Sequence, residues 1–302
     1  MIRALITAFA ALAGLAFGSF LNVCLSRWPA GESIVKPRSH CRTCRRTLTW
    51  WENIPLLSWL ALGGRCRTCK SAISWRYPAV ELLVGVLWAI SAWHYGYFSI
   101  SYLELSYLTL PLLIVGFLGP FALLWLLVAL AALDAENLWL PDKLTLPGIF
   151  GGVFVAALYS YFFAGSIVSP ITLENFFISP YMRSFWRDRI LAILAAAFLI
   201  LAIRWLYWLI RRREGIGLGD AKLMALLAAW LGLPGALLAF ALGVVFGSVV
   251  GVVVLVRGPR EGVENPALAK LPLGTFLCIG GIVASLWGQP ILAAYMRYSG
   301  LN

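Results

Sequence analysis

Two aspartates stand where long apolar runs meet polar loops. Asp134 closes one run in Leu133-Asp134-Ala135-Glu136, ahead of Leu140-Pro141-Asp142, and Asp220 opens another in Gly217-Leu218-Gly219-Asp220. Ionisable groups in or beside membrane spans are costly and mark functional sites by default. Carried by different helices at one membrane depth, the two acids can meet across a bundle. Carboxylates at close range share a proton, because both cannot ionise cheaply. One then deprotonates a water that attacks a carbonyl, and the other protonates the carbonyl oxygen or the leaving group. Such a pair hydrolyses a peptide bond without a metal. Gly217 and Gly219 leave room beside Asp220 for the close approach of a substrate backbone. Plainer roles compete: Asp220 as a helix N-cap, Asp134 as an ion-pair partner of Lys143 or Lys222, and Asp142, after Pro141, as the N-cap of the next helix.

The second constellation is Cys41-Arg-Thr-Cys44, followed 22 positions later by Cys66-Arg-Thr-Cys69. Two such pairs at this separation form a zinc signature: each tight turn aims two sulfurs at one ion, and together they close a tetrahedral thiolate site. A site with four thiolates has no open position, so its role is structural. It supplies folding energy to a loop with little core of its own. Two disulfides are the competing arrangement, disfavoured in a reducing cytoplasm. Zinc is preferred to iron, which the spacing alone also accommodates. Cys24 and Cys278 lie in or beside apolar runs and read as packing residues. His40 precedes Cys41 but is not needed where four sulfurs suffice.

The elements that must position these groups are membrane helices. Of 302 residues, 61% are hydrophobic and only 12% charged, and the mean hydropathy is +0.86. A soluble domain of this size has too little polar cover for such a chain. The apolar residues fall in blocks long enough to cross a bilayer, with no strand alternation of the barrel type. The expected spans are 4–25, 78–97, 107–133, 145–165, 188–210, 218–233, 235–256 and 271–297, with Pro120 interrupting the third. The first is read as a retained helix rather than a cleaved signal, since no small-residue cleavage site follows it. The net charge of +11 reflects basic loops that obey the positive-inside rule, not nucleic-acid binding.

The segment 26–77, with ten Lys and Arg against Glu32 and Glu52, is assigned to the cytoplasm. So are the loops with Arg211, Arg212 and Arg213 and with Arg257, Arg260 and Lys270. Both termini then lie outside, and the cluster Arg183, Arg187 and Arg189 falls on the outer side, against the rule. No internal repeat stands out. The domain reading is a first transmembrane helix (1–25), a cytoplasmic four-cysteine insertion (26–77), transmembrane helices (78–133) and a transmembrane core carrying the acids (134–297). The fold class is an all-α polytopic membrane protein of about eight transmembrane helices with a small zinc-knuckle insertion, in contact with membrane lipid. A proton-coupled transporter with Asp134 and Asp220 as its relay is the competing function. Such transporters place charges near the midplane and show paired repeats, whereas here both acids lie at one face. A non-catalytic zinc-knuckle adaptor leaves both acids unexplained.

The ordered motifs resemble the bifunctional prepilin peptidases, or type IV leader peptidases. The likeness rests on Gly18-Ser-Phe-Leu-Asn-Val23, the two cysteine pairs with Trp51-Glu-Asn-Ile-Pro-Leu-Leu-Ser-Trp59 between them, Ile73-Ser-Trp-Arg-Tyr-Pro78 and Glu81. It continues in Asp134 through Leu140-Pro141-Asp142, Gly217-Leu-Gly-Asp-Ala-Lys-Leu-Met224 and Ala229-Trp-Leu-Gly232. The resemblance implies a GxGD-type aspartic protease of the bacterial inner membrane with Asp134 and Asp220 catalytic. It implies cleavage of the basic leader of type IV prepilins or type II secretion pseudopilins, after a glycine at the cytoplasmic face. It also implies N-methylation of the new N-terminal residue with S-adenosylmethionine, a function linked to the cysteine-bearing loop. Glu81, early in the second helix, is a candidate for binding that cofactor or the new amino group, against an ion pair with Arg76. Substrates of this family carry a glutamate soon after the cleavage site, and Lys222 is placed to read it. Two positions depart from the family pattern: Glu136 stands where Asp is frequent, and Pro272-Leu-Gly-Thr275 stands where Pro-Phe-Gly-Pro is common.

Overall fold

The computed structural model describes residues 1–101, 117–163, 182–213, 217–256 and 272–300. The chain forms two compact units, Met1–Ser106 and Tyr107–Asn302.

In the first unit, α1 (Ile2–Arg27) packs along α3 (Arg76–Ser101). Gly14 and Gly18 are one helical turn apart on α1 and let the two backbones touch. A Cβ on Gly14 would lie 2.8 Å from the Gly85 Cα, and one on Gly18 would lie 2.7 Å from the Glu81 Cα. Small residues at this spacing are the usual device for close helix contact in lipid, where apolar burial alone drives no association. The hairpin is clipped at both ends. Arg3 donates to the Trp93 carbonyl and stacks on its ring at 3.9 Å, and the Asn22 amide donates to the Tyr77 carbonyl at 2.9 Å.

Between these helices lies the insertion, with the short helix α2 (Leu57–Ala61). It does contain a repeat. Cys41 through Trp50 and Cys66 through Trp75 are two copies of one knuckle, displaced by 25 positions in the sequence. Their hydrogen bonds match one for one. The Cys41 N–H donates to the Arg46 carbonyl at 3.0 Å and the Arg45 N–H to the Cys41 carbonyl at 2.8 Å. In the second copy Cys66 N–H donates to Ser71 at 2.9 Å and Lys70 N–H to Cys66 at 3.0 Å. Arg45 and Lys70 take the same left-handed conformation, with φ of 56° and 57°. The bridges His40–Thr47 and Arg65–Ala72 close the two turns alike. Five of the ten side chains are identical between the copies, the CRTC run and the closing tryptophan, so the repeat lies in the sequence as well as in the backbone.

The second unit holds α4 (Gly119–Asn137), α5 (Asp142–Phe163), α6 (Met182–Arg211), α7 (Leu218–Val256) and α8 (Leu273–Ser299). Helix α7 packs on α5, α6 and α8, and α8 also packs on α4. The first stretch of α7, from Asp220 to Gly232, is buried except at Lys222 and forms the core with Leu127 and Leu130 of α4 and Leu277 of α8. The spans expected at 218–233 and 235–256 are the two parts of α7. Gly232 separates them at φ 69° and ψ 178°, with Pro234 just beyond. This region is open only to glycine. The break strands carbonyls at the end of the first part. The buried Arg189 of α6 donates to two of them, Ala228 at 3.2 Å and Ala229 at 3.4 Å. A cation at a helix C-terminus also meets the negative end of the dipole. Of the three charges that run against the loop rule, Arg189 is therefore committed to capping a helix.

Five described helices are long and apolar enough to cross a membrane. With α3 and α5, and with α7 counted as two parts, there are eight apolar helical segments among the described residues, consistent with the number expected. Pro120 does not break its span within the described residues; it sits in the first turn of α4, where a missing N–H costs nothing. Residues 107–116 of that span lie outside the described residues.

Helices α7 and α8 approach most closely at Gly280, where a Cβ would lie 2.1 Å from the Ala239 carbonyl oxygen. Gly280→Ala should therefore lower the thermal midpoint in detergent, by the equivalent of about 1–3 kcal/mol. Gly151→Ala, whose Cβ meets nothing closer than 3.5 Å, should leave it unchanged.

Candidate active site

Helix α4 ends because Leu138 turns left-handed, at φ 50°, with its N–H returned to the Asp134 carbonyl at 2.8 Å. Pro141 then rules out continuation. Asp134 is thus fixed in the last turn of α4 and is buried. Its Oδ2 accepts the backbone N–H of Thr275 at 2.6 Å and lies 3.1 Å from the Thr275 hydroxyl. Thr275 is in the first turn of α8, so a carboxylate from one helix fills the N-terminal N–H position of another.

Asp220 is also buried and also serves a helix N-terminus, in this case its own. It is the third residue of α7, and its Oδ2 accepts the Gly217 N–H at 3.1 Å. This is the reach-back half of a capping box rather than an N-cap. Asp134 and Asp220 lie within each other's electrostatic field, and the buried Cys278 of α8 lies within the field of both.

Leu140 packs between the two N-termini. A Cβ on Gly219 would lie 3.1 Å from the Leu140 Cβ, and one on Gly274 would lie 2.9 Å from both the Leu140 Cδ1 and Asp134 Oδ2. The space at Gly219 is therefore filled by the protein's own side chain. Gly217 is exposed, and a Cβ there would meet Asp220 Oδ2 at 3.5 Å, an ordinary contact distance. Of the two glycines expected to admit a substrate, Gly217 is exposed and Gly219 lies against Leu140. Lys222 pairs with Asp142 at 2.5 Å rather than with Asp134, and both side chains are well exposed. Asp142 is the first residue of α5 and spends its carboxylate on this pair.

In the first unit, the sulfurs of Cys41, Cys44, Cys66 and Cys69 all lie within 4.8 Å of one another. Cys41 and Cys69 are 3.7 Å apart. A tetrahedron with bonds of ~2.3 Å has edges of about 3.8 Å, so the cage fits one ion. The backbone N–H of Cys44 is the main cause that brings the Cys41 thiol down to about 6. His40 stands aside, with Nδ1 on the Arg38 carbonyl at 3.1 Å. Between the knuckles Glu52 is buried. Its carboxyl is held at about 2, chiefly by Arg46 and with help from the Thr49 N–H and hydroxyl. Glu81 is buried and accepts the Leu56 N–H at 2.8 Å, with the Ser19 hydroxyl as a second donor. It ties α2 to α3 instead of pairing with Arg76.

Two family models match the chain: the bacterial peptidase A24 N-terminal domain over residues 12–95 and the type IV leader peptidase family over residues 121–252. A prepilin leader peptidase/N-methyltransferase of Stutzerimonas stutzeri is 32% identical over 95% of this chain and 93% of its own length. The proteins of that name from Pseudomonas putida and Myxococcus xanthus are 33% and 34% identical, over 96% and 89% of this chain and 94% and 69% of theirs. The chain belongs to the type IV leader peptidase family. No solved structure matches it. As a member of this family it is a multi-pass membrane enzyme that combines peptidase and N-methyltransferase chemistry. The proton-relay transporter finds no support in this kinship.

Thr275 and Leu140 were not among the residues expected at the site. Neither carries a charge or a motif glycine, and Thr275 meets Asp134 from 141 positions away. The Lys222–Asp142 pair is exposed, so a double-mutant cycle with Lys222→Gln and Asp142→Asn should give a stability coupling below about 1 kcal/mol.

Proposed function

We propose that Asp134 and Asp220 are the catalytic pair of an aspartic endopeptidase that removes the basic leader from type IV prepilins or type II secretion pseudopilins. The observation that supports this most strongly is that two buried carboxylates from different helices lie within each other's field, each anchored through Oδ2 to a helix N-terminal N–H. A substrate backbone approaches over Gly217. One carboxylate takes a proton from water as the oxygen attacks the scissile carbonyl carbon, and the other gives a proton to the carbonyl oxygen. When the tetrahedral intermediate collapses, the C–N bond breaks, the first carboxyl gives its proton to the leaving nitrogen, and the second carboxylate recovers a proton from a hydroxyl of the gem-diol. In our reading the scissile bond follows a glycine at the cytoplasmic face of the inner membrane, because the basic loops around 26–77 and 211–213 favour that side. Lys222, exposed beside Asp220, then exchanges Asp142 for the acidic residue of the substrate.

The same reading gives the four cysteines a structural zinc ion that fixes the two knuckles to each other. It assigns methyl transfer to the first unit, with S-adenosylmethionine as donor. Glu81 contributes by holding α2 on α3, since its carboxylate is engaged by Leu56 and Ser19.

Purified protein in detergent, incubated with a prepilin that carries its leader, should release the leader. Asp134→Asn and Asp220→Asn should each lower the rate by at least about a hundredfold while remaining folded. Normal cleavage by either variant would defeat the assignment of the pair. For the metal, elemental analysis should find one zinc per chain in the parent and none in Cys44→Ser. Undiminished zinc in that variant would remove Cys44 from the site.

A further inference from the structure

We propose that Thr275 is a positioning residue for peptide-bond hydrolysis: it holds Asp134 by Oδ2 so that Oδ1 is the oxygen that takes the proton from the attacking water. This rests on the reading that Asp134 is catalytic. Two donors of one residue, the backbone N–H at 2.6 Å and the hydroxyl at 3.1 Å, converge on that single oxygen. A carboxylate oxygen has two lone-pair sites. With both engaged, a proton added there would have to displace a donor, and with the hydroxyl turned to Ala131 the Thr275 N–H still occupies one site, so Oδ1 is the more open oxygen. Gly274 leaves room for this Oδ2 beside α8, since a Cβ there would lie 2.9 Å from Asp134 Oδ2. The hydroxyl also reaches the Ala131 carbonyl at 3.1 Å, one turn before Asp134 on α4. It has a single proton and serves the two acceptors alternately, so the same side chain sets both the acid and the turn that carries it. A proline at this position, common in the family pattern, has neither donor. The double anchor therefore belongs to the Thr275 form of the site.

The hydroxyl half of this anchor can be tested by substitution. Leader removal from a prepilin in detergent is measured for the parent, Thr275→Val, Thr275→Ala, Thr275→Ser and Asp134→Asn, with thermal midpoints for each. Loss of the hydroxyl in Thr275→Val should lower kcat about tenfold and leave KM within about twofold. Thr275→Ala adds no bulk, should behave alike, and decides the question if Thr275→Val does not fold. Thr275→Ser restores the donor and should return kcat to within about twofold of the parent. Parental kcat in Thr275→Val or Thr275→Ala beside an inactive Asp134→Asn would overturn the positioning role and leave the catalytic pair intact. So would a rise in KM with kcat unchanged, which would make Thr275 an edge of the substrate groove. Failure of serine to rescue would overturn it too. Full activity in Asp134→Asn would instead defeat the assignment of the pair itself.

Discussion

Two helix N-termini are brought to one place inside an apolar bundle, and each has backbone N–H groups that no carbonyl of its own helix can reach. In lipid such groups must find acceptors within the protein. Asp134 answers for α8 and Asp220 for α7. The same two contacts that satisfy the helix ends hold the two carboxylates, so the acceptors that the backbone requires are also the pair proposed for the chemistry. The spacing from Asp134 to Pro141 follows from this. The chain must end α4, turn through a left-handed Leu138, insert Leu140 between Gly219 and Gly274, and start α5 at Asp142.

The rest of the second unit keeps those ends in place. The first part of α7 is shorter than a membrane crossing and, beyond Lys222, buried along its length, so it is held by neighbours rather than by lipid. Its far end stops at Gly232, where Arg189 caps the open carbonyls. The Trp230 indole donates to the Gly148 carbonyl of α5 at 2.8 Å, and Gly152 gives the ring its space. The half-helix is thus pinned at the end opposite its acid, which limits sliding along its axis.

Much of this was legible in the sequence because charge in an apolar background is conspicuous. Asp134, Asp220 and the paired cysteines announce themselves by type and spacing. The division of α7 was legible from Gly232 and Pro234. What the sequence hides are contacts made by ordinary residues. Thr275 has no signal apart from its departure from a family pattern, and the consequence of that departure depends on which oxygen it meets. Gly219 read as room for substrate, since a glycine looks the same whether a ligand or Leu140 fills the gap. The repeated knuckle is short, ten residues a copy, and its identical positions are mostly the CRTC run that already reads as metal ligation; the matching turns at Arg45 and Lys70 show only in the backbone. Glu81 and Lys222 drew attention by charge, but their partners, a backbone N–H in one case and Asp142 in the other, lie far along the chain.

The matched knuckles make the insertion a pseudo-symmetric pair within one polypeptide. Each copy owns two sulfurs, which is half of a closed tetrahedron and too few to retain an ion firmly. An ion held by all four is consequently less a ligand of either copy than the joint between them, in the way that a metal can bridge two subunits of a dimer. Damage to any one of the four thiols then acts on the joint as a whole. The four positions are equivalent by function, although Cys66 is buried and Cys44 and Cys69 are exposed.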